Sequence, residues 1–366
     1  SVEQREMTFS VPLTSHSLDT ASKCNRRHWL QTRLNWQAEK LSYVATQQQS
    51  ENWPARTEFG SLYHRLLEIG LPNPATESVD NLDATWTNKQ VDNLENNETL
   101  SEVMAQSSII DSDVEQRTRE RLMHLATLVR SGALGQLTAG NQFDGMKIEG
   151  LRTELPFFIS LEHAPDNLHR NMWTPQGNEV RSLVSRISTI FDGRADLVLA
   201  LRDEEGQGYL QVVDAKTTGC LGEFNIDSPL EGSELQVVVD EHSPFATTPA
   251  EEKIIEEHRL QLALYSHALE LSESLRPKEE RRTILPPAIL VAASGRMIRM
   301  GDEQFKQSLS DLMELVQWMG VVAASDEQLD APVRLPMSEE AICRKCPFNS
   351  GEIKICGPQG ELLGPA

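Results

Sequence analysis

The stretch ISTIFDGRADLVLALRDEEGQGYLQVVDAKTTG, from Ile187 to Gly219, decides how the rest of the chain is read. Two runs rich in Val, Leu and Ile flank the polar turn Asp203-Glu204-Glu205-Gly206-Gln207-Gly208, which predicts two strands joined as a hairpin. Asp196 interrupts the first run, and Asp214 and Lys216 sit near the end of the second. Residues two apart in a strand share a face, so Asp214 and Lys216 are expected on the same side. An antiparallel neighbour can then bring Asp196 beside them. Two carboxylates at close range resist joint ionisation, and a hard divalent cation such as Mg²⁺ or Mn²⁺ relieves that cost. An amine two residues from such a ligand can orient a water or stabilise a developing anion.

Outside this stretch, composition sets the bounds. A chain of 366 residues with 39% hydrophobic content is long enough for one elaborated domain or two. No stretch has the apolar length of a membrane span, and no signal-peptide pattern opens the chain, so a cytoplasmic setting is expected. The first residue is Ser1 rather than Met, which is expected of a fragment of a longer protein. A net charge of −21 argues against tight duplex binding. Its distribution is uneven: residues 221–260 hold ten acids against Lys253 and Arg259, whereas Lys23, Arg26, Arg27, His28 and Arg33 cluster near the start. A transient enzyme tolerates that balance better than a tight binder. No G-x-x-x-x-G-K-[ST] occurs, so ATP hydrolysis by this chain is not expected.

Five cysteines without a secretory signal point to metal ligation rather than a disulfide framework. Cys343, Cys346 and Cys356 form C-x2-C-x9-C near the C-terminus, and three thiols need a fourth ligand. Cys24 can supply it, though a buried free thiol reads equally well there. Cys220 reads as a structural thiol.

Taken in order, residues 12–40 read as helical, and EFGSLYHRLLEIG at 58–70 places Gly60, His64 and Glu68 on one helical face. Residues 71–100 read as a long loop, helical periodicity resumes over 101–135, and 147–160 read as a strand carrying Glu154. An amphipathic helix follows in EEKIIEEHRLQLALYSHALEL, with Gln261 and Tyr265 one turn apart. ILPPAILVAA at 284–293 reads as a strand and 305–324 as a core-covering helix.

GRAD at 193–196 followed by VVDAK at 212–216 resembles the PD-(D/E)XK nuclease signature. The order Cys24, G-x-x-x-His64, Glu154, Asp196, Asp214-x-Lys216, Gln261-x-x-x-Tyr265 and three cysteines is similar to that of RecB-like and AddB-like nucleases, and of the CRISPR-adaptation nuclease family. The final nine-residue cysteine gap is longer than is usual there.

This resemblance implies an α/β fold with a central mixed sheet flanked by helices. It implies one elaborated nuclease domain over 1–366, with a helical insertion at 71–145, a catalytic core over 187–275 and an acidic insertion at 220–250. Residues 335–366 with Cys24 would form a [4Fe–4S] staple, Zn²⁺ being the alternative at the same thiols. It implies a metal shell of His64, Asp196, Asp214 and the Ala215 carbonyl, with Lys216 acting on the attacking water. Gln261 and Tyr265 would orient the strand, with Arg194 assisting. Glu154, which reads equally as a salt-bridged structural acid, and Glu68 stand as second-tier ligands. The implied activity is Mg²⁺- or Mn²⁺-dependent, exonuclease-like cleavage of single-stranded DNA or duplex ends in repair or recombination, with a helicase domain or subunit as partner. The alternative is a catalytically inactive DNA-binding or helicase-partner scaffold with a structural Fe–S or Zn site.

Overall fold

The computed structural model describes residues 8–33, 53–71, 92–140, 142, 144–163, 186–221 and 243–324. Cys343, Cys346 and Cys356 lie outside them, as does most of the acidic segment within 220–250. Among the described residues the sheet is mixed and has seven strands, with helices packed on it. The chain divides into two compact units: residues 1–48, 157–193 and 309–366 form the first, and 49–156 with 194–308 the second.

In the first unit, β1 (Thr8–Leu13) runs parallel to the opening of β3 (Arg186–Arg202), with Leu13 opposite Phe191. The end of β2 (Lys147–His163) joins β3 through the Ser160 and Ser188 hydroxyls, 2.6 Å apart. Phe157 and Phe191 stack with ring centroids 5.5 Å apart. A Cβ on Gly193 would come within 2.9 Å of both rings, so the glycine of GRAD is a packing requirement. Strand β1 was not legible as a strand in the sequence. Its residues give way at once to α1 (Ser15–Lys23), which opens on a capping box between Thr14 and Ser17. Cys24 is extended and ends that helix, so the predicted helix over 12–40 is two helices here, α1 and α2 (Asn25–Arg33).

The second unit holds the larger core. Helix α3 (Arg56–Gly70) buries Phe59, Leu62, Tyr63, Leu66, Leu67 and Gly70, the i, i+3, i+4 stripe of an amphipathic helix. The expected loop over 71–100 is corrected from residue 92 onward. A 3₁₀ turn at Asp92–Glu95 leads to α4 (Asn97–Met104), because Asn96, a loop-type residue in composition, acts as a helix cap accepting the Glu98 N–H at 2.9 Å. Then come α5 (Ser112–Ser131) and α6 (Ala133–Thr138).

The second half of β3 pairs antiparallel with β4 (Gly208–Lys216), from Leu197 opposite Val213 to Arg202 opposite Gly208. On its other side β4 pairs in parallel with β6 (Ala288–Val291), and β6 pairs antiparallel with β7 (Arg296–Arg299). Pro286 and Pro287 lack the N–H of a ladder residue, so the expected strand over 284–293 is split into β5 (Thr283–Ile284) and β6. Residues Gln211 to Ala215 are all buried, as expected of a central strand covered on both faces. Helix α7 (Pro249–Ser274) covers β4 and β5; it starts on Thr248, with Pro249 at its first position. Helix α8 (Asp302–Ala324) follows β7.

Candidate active site

The final paired rung of β3 with β4 is Leu197 with Val213, whose side chains enter the core. One rung further, the pleat turns Asp196 and Asp214 to the opposite face. There the Ala215 N–H donates to Asp196 Oδ2 at 2.8 Å. Two residues on from Asp214, the Lys216 ammonium meets Asp214 Oδ2 at 2.7 Å, with Asp214 1% exposed and Lys216 18% exposed. The period-two expectation for Asp214 and Lys216 therefore holds, with Asp196 beside them.

Helix α3 supplies the imidazole. Its apolar stripe fixes its rotation, and His64, at the stripe's edge, places Nδ1 3.3 Å from Asp196 Oδ1. A Cβ on Gly60, one turn earlier, would be 3.5 Å from Thr217 Oγ1, so this turn lies against the end of β4. Ligand atoms of His64, Glu154 and Asp196 all lie within 4.8 Å of one another, a group able to hold a metal ion. Glu154 has a φ of 48° in mid-strand, a conformation costly for a non-glycine residue and concentrated at functional sites. Its carboxyl is half-buried and points to the cluster. Glu68 is instead occupied by Arg65, 2.5 Å away, and is not in the group. Arg194 is exposed on β3, two residues before Asp196 and on its face. On α7, Gln261 Nε2 donates to the Tyr265 hydroxyl at 2.8 Å.

Electrostatics set the carboxylates apart. Burial and the Asp196 charge push Asp214 up to about 6, against the opposing pull of Lys216 and His64. Burial also pushes Asp196 upward, but His64, the Ala215 N–H and Lys216 together hold it below the usual carboxylate range. His64 is pulled down by burial, yet Asp196 and Asp214 bring its net shift upward. Glu154 is raised by burial and by Asp196. Asp196 and Asp214 share the Lys216 ammonium and the His64 imidazole, while Glu154 also feels Arg194; carboxylates with one imidazole are a donor set that fits a hard divalent cation.

A strand-end Asp-x-Lys facing an Asp on the neighbouring strand, on a mixed sheet covered by helices, is the arrangement expected from the GRAD and VVDAK motifs. The superfamily profile agrees: it matches residues 12–351, and the chain belongs to the PD-(D/E)XK nuclease superfamily. No curated protein matches the chain.

Among the described residues, no helix is long and apolar enough to cross a membrane. Sequence reasoning missed the clamp behind α7. Glu251 and Arg296, both buried, pair at 3.0 Å, and Arg296 also donates to the Phe245 carbonyl at 2.9 Å. The only sequence signal for it was an acid three residues after a capping threonine.

Proposed function

We propose that this protein hydrolyses phosphodiester bonds of DNA in a reaction dependent on Mg²⁺ or Mn²⁺, acting on single strands or duplex ends. The observation that carries the reading is the Lys216–Asp214 pair at 2.7 Å, on the same face as Asp196 and within one charge network with His64. His64, Asp196, Asp214 and the Ala215 carbonyl would hold the cation, and Glu154, whose carboxylate lies within 4.8 Å of the ligand atoms of His64 and Asp196, joins them as a further ligand. When bound, the cation supplies Lewis acidity at the scissile phosphate and neutralises developing charge. Lys216 orients the attacking water and stabilises charge on the phosphoryl oxygens. The Ala215 N–H and His64 fix the Asp196 carboxylate. Gln261 and Tyr265, locked by their mutual hydrogen bond, and Arg194 orient the strand through phosphate and sugar contacts.

The net charge of −21 fits brief engagement of a strand delivered by another domain or subunit, for which a helicase is the candidate, in repair or recombination. Cys24 Sγ sits at the start of α2 and accepts the Arg27 N–H at 3.4 Å. With Cys343, Cys346 and Cys356 it would bind [4Fe–4S], and Zn²⁺ is separated from iron by visible absorbance and metal analysis. The nuclease reading is tested with end-labelled single-stranded and duplex oligonucleotides in Mg²⁺, Mn²⁺ or chelator. Cleavage that requires the metal and drops at least about a thousandfold in Lys216→Met, as for loss of an electrostatic catalytic donor, supports it. Undiminished cleavage by that variant overturns it.

A further inference from the structure

We propose that Arg121, with His124 beside it, is a phosphate-binding site on α5 that takes a backbone phosphate of the DNA strand away from the scissile one. The choice of DNA as its ligand rests on the nuclease reading above. In a chain with 55 acids against 34 bases, a half-buried guanidinium is expected to have a carboxylate partner. Arg130, Arg282, Arg296 and Arg299 each have one. Arg121 has none among the described residues. Its guanidinium lies over the Trp53 ring, 5.5 Å from the centroid, and its Nε is buried without a hydrogen-bond partner. Burial pushes it below the usual arginine range, and the Cys220 thiol is the only described group acting against that. Burial pushes this thiol up to about 12, so it stays neutral and supplies no counter-ion. Glu120, adjacent on α5, is engaged by Gln116 at 2.7 Å. His124 is exposed, one turn further along the same edge of the helix, and feels the Arg121 charge. Its imidazole adds a second N–H donor. A desolvated arginine held flat on an aromatic ring presents a fork suited to two oxyanion oxygens.

The site stands beside the catalytic end of β4. Arg121 borders the buried stripe of α5 that includes Thr118, Leu122 and Leu125. Cys220, the group acting on it, follows Lys216 by four residues, and its N–H donates to the Thr217 carbonyl at 3.0 Å. That turn keeps Cys220 close to the strand end. Thr217 Oγ1, in the same turn, lies against Gly60 of α3. Three residues further along α3, the fully buried Tyr63 phenol feels both Cys220 and Asp196. Arg121, Cys220, Tyr63 and Asp196 are thus successive neighbours leading from α5 to the carboxylate cluster. With the scissile phosphate at that cluster, a strand running past the turn brings a further phosphate to Arg121. Such a contact positions the strand and reads no base.

The test is fluorescence anisotropy of a labelled single-stranded oligonucleotide in Ca²⁺, with wild type, Arg121→Gln and Arg121→Lys, over a range of salt concentrations. Loss of a hydrogen bond to a charged group should raise Kd about ten- to a hundredfold in Arg121→Gln. The slope of log Kd against log salt should fall by about 0.7, the value for one phosphate contact on a single strand. Arg121→Lys keeps the charge without the fork, so its Kd should rise less and its slope should match wild type. An arginine that only packs on Trp53 would leave the slope of both variants unchanged. Unchanged Kd and slope in Arg121→Gln overturn the assignment, and so does a Kd equal to wild type in Arg121→Lys if the glutamine variant fails to fold. Neither result touches the nuclease reading, which is read from cleavage in Mg²⁺ or Mn²⁺. Wild type that cleaves nothing in either metal, yet binds with an Arg121-dependent slope, overturns the nuclease reading and leaves the phosphate contact standing. Wild type that binds no DNA overturns the assignment.

Discussion

Replacing Asp214 by Asn should make the metal-free protein more stable at pH 8 while abolishing cleavage. Asp214 is 1% exposed, and its carboxyl is raised from 3.8 to about 6 even with the Lys216 ammonium beside it. Each pKa unit corresponds to about 1.4 kcal/mol, so the ionised carboxylate costs the folded state about 3 kcal/mol relative to the unfolded chain. The sign follows from linkage. Between pH 4 and 6 the folded protein still holds a proton that the unfolded chain has released, so stability falls as pH rises through that window and stays low above it. His64, raised as well, adds a contribution of the same direction that both proteins share in large part. An asparagine resembles the protonated acid at every pH and keeps Lys216 a polar neighbour. Urea unfolding in chelator should therefore show Asp214→Asn ahead by about 3 kcal/mol at pH 8, on the order of 5 °C in Tm for a chain of this size. At pH 4 the two should converge. A variant no more stable than wild type at pH 8, or one with the same advantage at pH 4, would refute the reasoning.

Mg²⁺ or Mn²⁺ should raise the melting temperature of wild type at pH 8 and raise that of Asp214→Asn much less, because a ligand stabilises only the state that binds it; equal shifts by scanning calorimetry would contradict this. Gly193→Ala should cost about 1–3 kcal/mol, since the new methyl meets the stacked Phe157 and Phe191 rings at 2.9 Å, and denaturant titration reads it directly. Glu251→Ala should cost about 3–5 kcal/mol by leaving the buried Arg296 without its carboxylate; a loss under 1 kcal/mol would show that the clamp is dispensable.

The hairpin carrying Asp196, Asp214 and Lys216 was legible because strand pattern has a period of two, and a period of two fixes which side chains share a face. Helices α3 and α7 were legible from their apolar stripes. The meeting of His64 with Asp196 was not a matter of periodicity, since 131 intervening residues carry no local trace of that contact, and it came from the resemblance alone. Glu154 depends on a backbone with φ of 48°, which nothing in KIEGLRTELPFFIS announces. Strand β1 and the short β7 were missed because four to six residues carry too little pattern to stand out. Asn96 misled the loop assignment because the same residue type serves turns and helix caps. Glu68 shares its face with His64 as expected, yet Arg65 at the neighbouring turn holds it, a choice between partners that spacing does not decide.

The most direct test of the account is where a cation settles. Anomalous diffraction from crystals of the wild-type protein soaked in Mn²⁺ should show a peak bonded to His64, Asp196 and Asp214 beside the Lys216 ammonium. A peak that avoids these side chains at saturating Mn²⁺, or no peak among them, would contradict the claim that they form one hard-metal centre.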